Sequence, residues 1–182
     1  MQVDTLPKGV IVRRLQEHSD SRGVLAEIHR ADWTPSGAFL QWNLVRSSGN
    51  VLRGVHVHPQ HADYLLVLSG TMLLGLHDLR PDDPLARTSL FVTLSGNEPT
   101  TVYIPPGVCH GFWFAEPTTY IYGLSTGWNI AEELGCRYDD AALGLEWPTS
   151  SPILSPRDTA PAHDYASMRS DWLASQRQRV EA

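Results

Sequence analysis

Between Val24 and Tyr122 the chain alternates short apolar runs with turn residues, and this pattern restricts the possible fold more than any other feature. The runs are VLAEIH, FLQWNLV, DYLLVLSG, TMLLGLHDL, LFVTLSG, TVYIPPG, CHGFWF and TYIYGLS, and glycine, proline, asparagine and serine break them. Runs of this length that are rich in aliphatic and aromatic residues are typical of β-strands. Because the strands follow one another so closely, they predict a sandwich or a barrel.

The segment LLVLSGTMLLGLHDL predicts a β-hairpin, because Ser69 and Gly70 separate two apolar runs. Glycine tolerates the positive φ that a tight turn requires. The alternative is a helix interrupted by Gly70 and Gly75, each of which would cost about 1 kcal/mol there.

After Trp128 the pattern changes to an irregular, proline-rich wrap. Near the C-terminus, Tyr165, Met168 and Trp172 are spaced to line one face of a helix, which we expect to dock against the core. Beyond Leu173 the chain is polar, and we expect it to fray.

The length of 182 residues is sufficient for one domain, with a barrel over about 24–128 and a C-terminal wrap and helix over about 129–182. With 14 Lys and Arg against 20 Asp and Glu, the formal net charge is -6 and no basic run occurs. This charge argues against nucleic acid or a membrane surface as a partner. An anionic ligand would therefore have to meet a local basic pocket.

Two cysteines, Cys109 and Cys136, form neither a CxxC pair nor a dense framework, which favours a reducing compartment. No apolar run has the length of a signal peptide or a membrane span. We therefore expect a cytoplasmic protein.

The stretch LRGVHVHPQHAD, from Leu52 to Asp63, concentrates the residues that can do chemistry. Residues two apart in a strand face the same side, so His56 and His58 can both point into a barrel. A later strand that begins after PPGVC could bring His110 beside them. Such a set can transfer protons, hold a metal, or consist only of polar residues at the end of a strand.

The order HxH, carboxylate, glycine and then PxG with a trailing histidine resembles the two motifs of the cupin superfamily, although Asp63 stands where glutamate is usual. The resemblance implies an all-β fold, an antiparallel jelly-roll (cupin) barrel with a site in its mouth. We expect short C-terminal helical elements to follow it.

A closer resemblance covers roughly residues 19 to 160. SRGVLAEI, QWNLVRSSGNVLRGVHVHP, FVTLSGNEPTTVYIPPGVCHGF, YIYGLSTGWN, YDDAALGLEWP and PILSPRD occur in the order of the dTDP-4-dehydrorhamnose 3,5-epimerase family. Membership implies an isomerase of deoxysugar biosynthesis, of the dTDP-rhamnose type. Such an enzyme epimerises a nucleotide-diphosphate-linked 4-keto-6-deoxyhexose at C3, C5 or both through an enolate.

The resemblance also implies the roles of individual residues. His56 matches the base, Asp158 the carboxylate that orients it, and Tyr122 the tyrosine that delivers a proton from the other face. Residues implied in substrate binding are Arg53 at the diphosphate, His110 near the sugar, Trp128 on the nucleotide base, Gln41 and Asn43 beside it, and Arg22 and Glu27 at the nucleotide end.

The family often supplies Arg22 and Glu27 from a neighbouring subunit, so the resemblance implies a homodimer with exchanged N-terminal strands. It implies no cofactor. From the residues alone, Tyr122 and Trp128 could equally fill the barrel, and Arg22 and Arg53 could bind carbonyls or surface acids. The remaining histidines have no motif support and are expected to be solvent-facing or structural: His18, His29, His61, His77 and His163.

The chain departs from the family at two positions. Asp63 stands where a lysine usually stabilises the enolate oxygen, and the only lysine is Lys8. His58 stands where the family commonly has glutamine. Two alternatives follow: a metal-dependent cupin enzyme, in which one divalent transition metal is bound by His56, His58, Asp63 and His110, or a sugar-nucleotide-binding relative without epimerase activity. A metal on His56 would compete with its use as a base.

Overall fold

The protein is described by a computed structural model that covers residues 6–80, 89–130 and 133–181. The strands in these residues are β1 Ile11–Arg14, β2 Glu17–Asp20, β3 Gly23–Ala26, β4 Gln41–Ser47, β5 Val51–Val57, β6 Asp63–Ser69, β7 Thr71–Asp78, β8 Ser89–Ser95, β9 Thr100–Ile104, β10 Val108–Phe114, β11 Thr118–Leu124 and β12 Leu134–Gly135. The α-helices are α1 Pro156–Thr159 and α2 Tyr165–Glu181.

Two five-stranded sheets form the body of the fold, in the orders β1-β9-β6-β11-β4 and β12-β5-β10-β7-β8. Neighbouring strands in both sheets are antiparallel. Apolar side chains of both sheets meet in one core, which includes Leu65, Met72, Leu74, Val102 and Tyr120. Burial of each such aliphatic side chain stabilises the fold by about 1.5–3 kcal/mol. The architecture confirms the expected all-β antiparallel jelly-roll barrel.

The predicted hairpin at Ser69 and Gly70 is wrong in its pairing. The chain does turn there, with φ of +79° at Gly70, but β6 pairs with β9 and β11 whereas β7 pairs with β8 and β10. The turn therefore leads from one sheet to the other. A glycine between two apolar runs indicates a reversal, but it does not specify the hydrogen-bonding partners of the two strands.

The C-terminal helix α2 packs on the outer face of the second sheet. Met168 and Trp172 are buried there and Tyr165 is partly buried, as the spacing predicts. The expectation that the chain frays beyond Leu173 is wrong, since α2 continues to Glu181. Its later part has an anchor, because the Gln176 side chain donates a hydrogen bond to the carbonyl oxygen of Pro59 at 3.1 Å.

The first sheet begins earlier than the predicted boundary near residue 24. Strand β1 pairs with β9, with Ile11 opposite Tyr103. Strands β2 and β3 pair only with each other among the described strands, and Val24 and Leu25 are exposed on this hairpin. No helix in the described part of the chain has the length and apolarity that a membrane span requires.

Candidate active site

A cavity of about 260 Å³ lies between the two sheets, where β5 and β10 of one face β6 and β11 of the other. The candidate residues that line it are His56, His58, Asp63, Asp158, Tyr122, Arg53, His110 and Trp128, whereas Gln41, Asn43, Arg22 and Glu27 are not among its lining residues. The fold thus brings together the residues for which the family resemblance implies a role in catalysis, at the diphosphate, near the sugar and on the nucleotide base.

His56 on β5 and Asp158 on α1 form the shortest polar contact in the cavity wall between candidate residues, with 2.7 Å between Nε2 and Oδ1. The second carboxylate oxygen of Asp158 accepts a hydrogen bond from the Ser155 hydroxyl at 2.8 Å. Ser155 also caps α1, because its Oγ accepts from the Asp158 N–H. This local motif, serine followed three residues later by an acid, therefore holds the Asp158 carboxylate in the position from which it bonds to His56.

The charge state of Asp158 determines the tautomer of His56. Burial raises the pKa of Asp158, but the hydrogen bond and charge of His56, together with Ser155 and Arg157, outweigh burial and leave this pKa below its ordinary value. Asp158 is therefore ionised at neutral pH and can only accept. The Nε2–H of His56 must donate to it, and the lone pair of the neutral ring lies on Nδ1.

Tyr122 lines the cavity from β11, in the sheet opposite to β5 and His56. Burial is the main cause that raises the pKa of its hydroxyl, and the nearby Asp63 and Glu133 raise it further. The phenol therefore keeps its proton at neutral pH and can act as an acid.

The mouth of the cavity is organised by Trp128 and the start of β4. The Trp128 N–H donates to Oε1 of Gln41 at 2.8 Å, and Nε2 of Gln41 donates to Oδ1 of Asn43 at 3.1 Å. The indole itself remains 53% exposed. Deeper in the wall, Nε of Arg53 is buried and makes no hydrogen bond within the described residues.

Arg22 and Glu27 lie outside the cavity of their own chain. Arg22 forms an ion pair with Asp20 at 2.5 Å in the β2–β3 turn, and Glu27 lies 3.6 Å from Arg30. Both side chains are exposed. Their use at the nucleotide end of a neighbouring subunit's pocket stays a prediction.

The four residues of the metal alternative do not form one set. His56 is turned to Asp158, whereas Nε2 of His58 and Nε2 of His110 lie 3.4 Å and 3.5 Å from the same atom, Oδ2 of Asp63. These last three side chains are buried. The structure thus places His56, the candidate base, apart from a possible ligand set of His58, Asp63 and His110.

Burial is the main cause of the pKa shifts of His58, Asp63 and His110. It raises the pKa of Asp63 well above the ordinary value, with a further contribution from the charge of Glu133. Burial also lowers the pKa of His110 to about 3 and that of His58 well below its usual range, where the neighbouring His110 and His61 add to the effect. Both imidazoles are therefore neutral at pH 7.

Two residues near this group have no signal in the sequence. Glu133 lies in the cavity wall, with 2.9 Å to Arg157 and 3.3 Å from its Oε1 to Nδ1 of His58. His61 is buried, and its ring stacks on His58 with 4.0 Å between centroids. Glu133 comes from the irregular wrap, where no periodic pattern indicates which side chains point inward.

The chain matches a known protein family over most of its length. The family model described as dTDP-4-dehydrorhamnose 3,5-epimerase matches residues 4–164. The spore coat polysaccharide biosynthesis protein SpsL of Bacillus subtilis is 30% identical over 145 residues, which are 78% of this chain and 96% of SpsL.

Two solved structures are similar over nearly the whole chain. The rmlC epimerase of Mycobacterium tuberculosis superposes with a TM-score of 0.82 at 28% identity and covers 97% of this chain and 94% of its own. NovW is a 4-keto-6-deoxy sugar epimerase from the novobiocin gene cluster of Streptomyces spheroides. It superposes with a TM-score of 0.81 at 30% identity and covers 91% of this chain and 87% of its own. Together with the sequence motifs and the jelly-roll fold, these matches show that the chain belongs to the dTDP-4-dehydrorhamnose 3,5-epimerase family.

Proposed function

We propose that the protein is an epimerase that inverts a carbon next to the C4 carbonyl of a nucleotide-diphosphate-linked 4-keto-6-deoxyhexose, at C3, C5 or both. The main support is the His56–Asp158 pair in the wall of a cavity that Tyr122 lines from the opposite sheet. The similarity to NovW, which acts on a sugar of this class, supports the same substrate.

The residues supply the two proton transfers of such a reaction. Nδ1 of His56 takes the proton from the carbon beside the carbonyl, and the electron pair of that C–H bond moves to form an enolate. The ionised Asp158 then stabilises the imidazolium, as a buried carboxylate does for other catalytic histidines. Tyr122 returns a proton to the same carbon from the other face, so that its configuration is inverted.

Other cavity residues suit the remaining parts of the substrate. Arg53 has a buried N–H without a hydrogen bond in the described residues, and a guanidinium binds the oxygens of a diphosphate well. The exposed indole of Trp128 at the mouth suits stacking on a nucleotide base. Beside the mouth, Gln41 accepts a hydrogen bond from the Trp128 backbone and donates one to Asn43, and both amides offer neutral hydrogen bonds. His110 lines the cavity, where the sugar would bind.

We also propose a homodimer in which the hairpin of β2 and β3 packs on a second copy. The outward face of the edge strand β4 exposes Trp42 and Leu44, and the hairpin exposes Val24 and Leu25. Exposed apolar residues on an edge strand and an isolated hairpin are typical of contact surfaces. The exchange would also bring Arg22 to the partner's pocket.

The proton transfers assigned to His56 and Tyr122 need no cofactor. For the cellular location we propose the cytoplasm, since Cys109 and Cys136 are buried free thiols, as in proteins of reducing compartments.

The function is tested by incubating the protein in D₂O with a dTDP-linked 4-keto-6-deoxyhexose and following C3 and C5 by NMR. We expect deuterium at one or both carbons and formation of the epimer. Binding of the nucleotide sugar without any exchange would show a binding protein instead.

A further inference from the structure

The inner end of the cavity brings two ring nitrogens close to one carboxylate oxygen. Nε2 of His58 and Nε2 of His110 converge on Oδ2 of Asp63 at 3.4 Å and 3.5 Å. All three residues line the cavity, and each side chain is at most 8% exposed. Two buried rings and a carboxylate in this arrangement require a positive charge between them, either a proton or a cation.

The outer nitrogen of His110 indicates which atom of that ring carries the lone pair. Nδ1–H of His110 donates to the carbonyl oxygen of Val108 at 3.2 Å, so its neutral ring carries the lone pair on Nε2. Nδ1 of His58 lies 3.3 Å from the carboxylate oxygen Oε1 of Glu133 but forms no hydrogen bond within the described residues. His110 thus has an acceptor on its outer nitrogen and a free inner nitrogen, the arrangement that metal-ligating histidines commonly show.

The distances also fit a shared cation better than a shared proton. A charge-assisted hydrogen bond from a ring nitrogen to a carboxylate is about 2.7–2.9 Å long, shorter than both contacts. With metal–ligand bonds of about 2.1 Å, the ligand atoms of a tetrahedral site are about 3.4 Å apart. Both edges that meet at Oδ2 of Asp63 have this length.

We propose that Nε2 of His58, Nε2 of His110 and Oδ2 of Asp63 bind one divalent transition metal ion that keeps an open coordination position toward the cavity. Two imidazoles and one carboxylate form a set suited to zinc, iron, cobalt or nickel. His61 is placed to assist, since one ligand atom each from His58, His61 and Asp63 lie within 4.8 Å of one another. His56 stays outside the set because its Nε2 bonds to Asp158.

The role of the ion rests on the proposed function. An enolate needs positive charge near its oxygen, and Asp63 stands where the family commonly has a lysine for this purpose. A metal ion in the open site supplies that charge as a Lewis acid, so that the carboxylate becomes a ligand and no longer repels the oxygen. The base His56 and the acid Tyr122 keep their roles.

The binding is tested without substrate. We would measure the metal content of protein purified without chelator, strip it with dipicolinate, and titrate it with Zn²⁺ by calorimetry and with Co²⁺ by visible absorption. We expect about one ion per chain and Co²⁺ bands of a site with nitrogen and oxygen ligands. No uptake of either ion at micromolar concentration would overturn the proposal.

Variants locate the site. Asp63→Asn and His58→Gln should each weaken Zn²⁺ binding on the order of 100-fold, whereas His18→Asn, an exposed histidine on β2, should bind as the wild type does. Wild-type affinity in both ligand variants would also overturn the proposal. Because a buried substitution can impair folding, the ¹⁵N shifts of His58 and His110 on Zn²⁺ addition give a second reading in the wild-type protein, and unchanged shifts count against the site.

Deuterium exchange, measured on stripped and reloaded protein, separates this inference from the proposed function. Deuterium exchange by a protein that binds no metal would support the epimerase function and contradict the metal site. Metal uptake without deuterium exchange into any 4-keto sugar would support the metal site and contradict the epimerase function.

Discussion

Nε2 of His56 lies 2.7 Å from Oδ1 of Asp158, although 102 residues separate them in the chain. The contact depends on how the C-terminal segment returns to β5. Val51 and Ile153 form a parallel bridge, and the Leu52 N–H donates to the Ile153 carbonyl at 3.0 Å. The start of α1 is thereby held beside the strand that carries the base.

Asp158→Asn keeps the shape of the side chain but removes the charge that stabilises the imidazolium, so we expect deuterium exchange into the 4-keto sugar to fall on the order of 10³-fold. Affinity for dTDP should change only a few fold. Asp139→Asn, at an exposed acid paired with Arg137, is the matched control, and an equal loss in it would contradict the assignment.

Tyr122→Phe removes the proposed acid but leaves the base intact. We therefore expect the substrate to lose its carbon-bound proton and to regain one from the same side, so that deuterium exchange continues while formation of the epimer falls by about 10²–10⁴-fold. NMR follows both quantities in one sample. A variant that forms the epimer at the wild-type rate would exclude Tyr122 as the acid.

Trp128 is predicted to stack on the nucleotide base at the mouth of the cavity. Binding of dTDP should quench part of the tryptophan fluorescence, and Trp128→Ala should lose this quenching and weaken binding by about 1–3 kcal/mol. Trp33→Ala, at a tryptophan that packs on Arg13 outside the cavity lining, serves as the control at the same concentration. Quenching that survives in Trp128→Ala would place the base elsewhere.

Gly54 is predicted to tolerate no side chain. Its φ is +116°, and an added Cβ would lie 2.9 Å from both the Cα of Gly111 and the carbonyl oxygen of His110. Gly54→Ala should lower the free energy of unfolding by about 3 kcal/mol or more, measured by urea denaturation. Gly127→Ala is the control, since nothing lies within 4 Å of its added Cβ; equal effects would contradict the steric argument.

The exposed apolar face of β4 predicts association. Light scattering at micromolar concentration should give the mass of two chains, and Leu44→Glu should shift the protein toward the monomer, because a charge would be buried at the contact. Ser170→Glu, at an exposed position of α2 on the other sheet, is the control for an added charge alone. A wild-type monomer would remove the proposed contribution of Arg22 from a partner.

Sequence patterns were sufficient for the strands and for a candidate set of which most members line one cavity. Alternating apolar runs imply an all-β fold because each strand must bury one face, and local motifs such as SPRD contain the cap that fixes Asp158. Patterns failed where pairing is non-local. The Ser69–Gly70 turn joins two sheets, and the early strand β1 becomes part of the barrel only by pairing with β9.

The sequence by itself determined the strand periodicity, the positions of the motif residues and the family, because these depend on residue type and spacing along the chain. Only the tertiary structure decided which carboxylate each histidine contacts. His56 and His58 are neighbours on one face, yet α1 brings Asp158 to the first while β6 and β10 bring Asp63 and His110 to the second. Such a division depends on contacts between segments far apart in the chain, and buried charges keep their places only where the fold supplies them with partners.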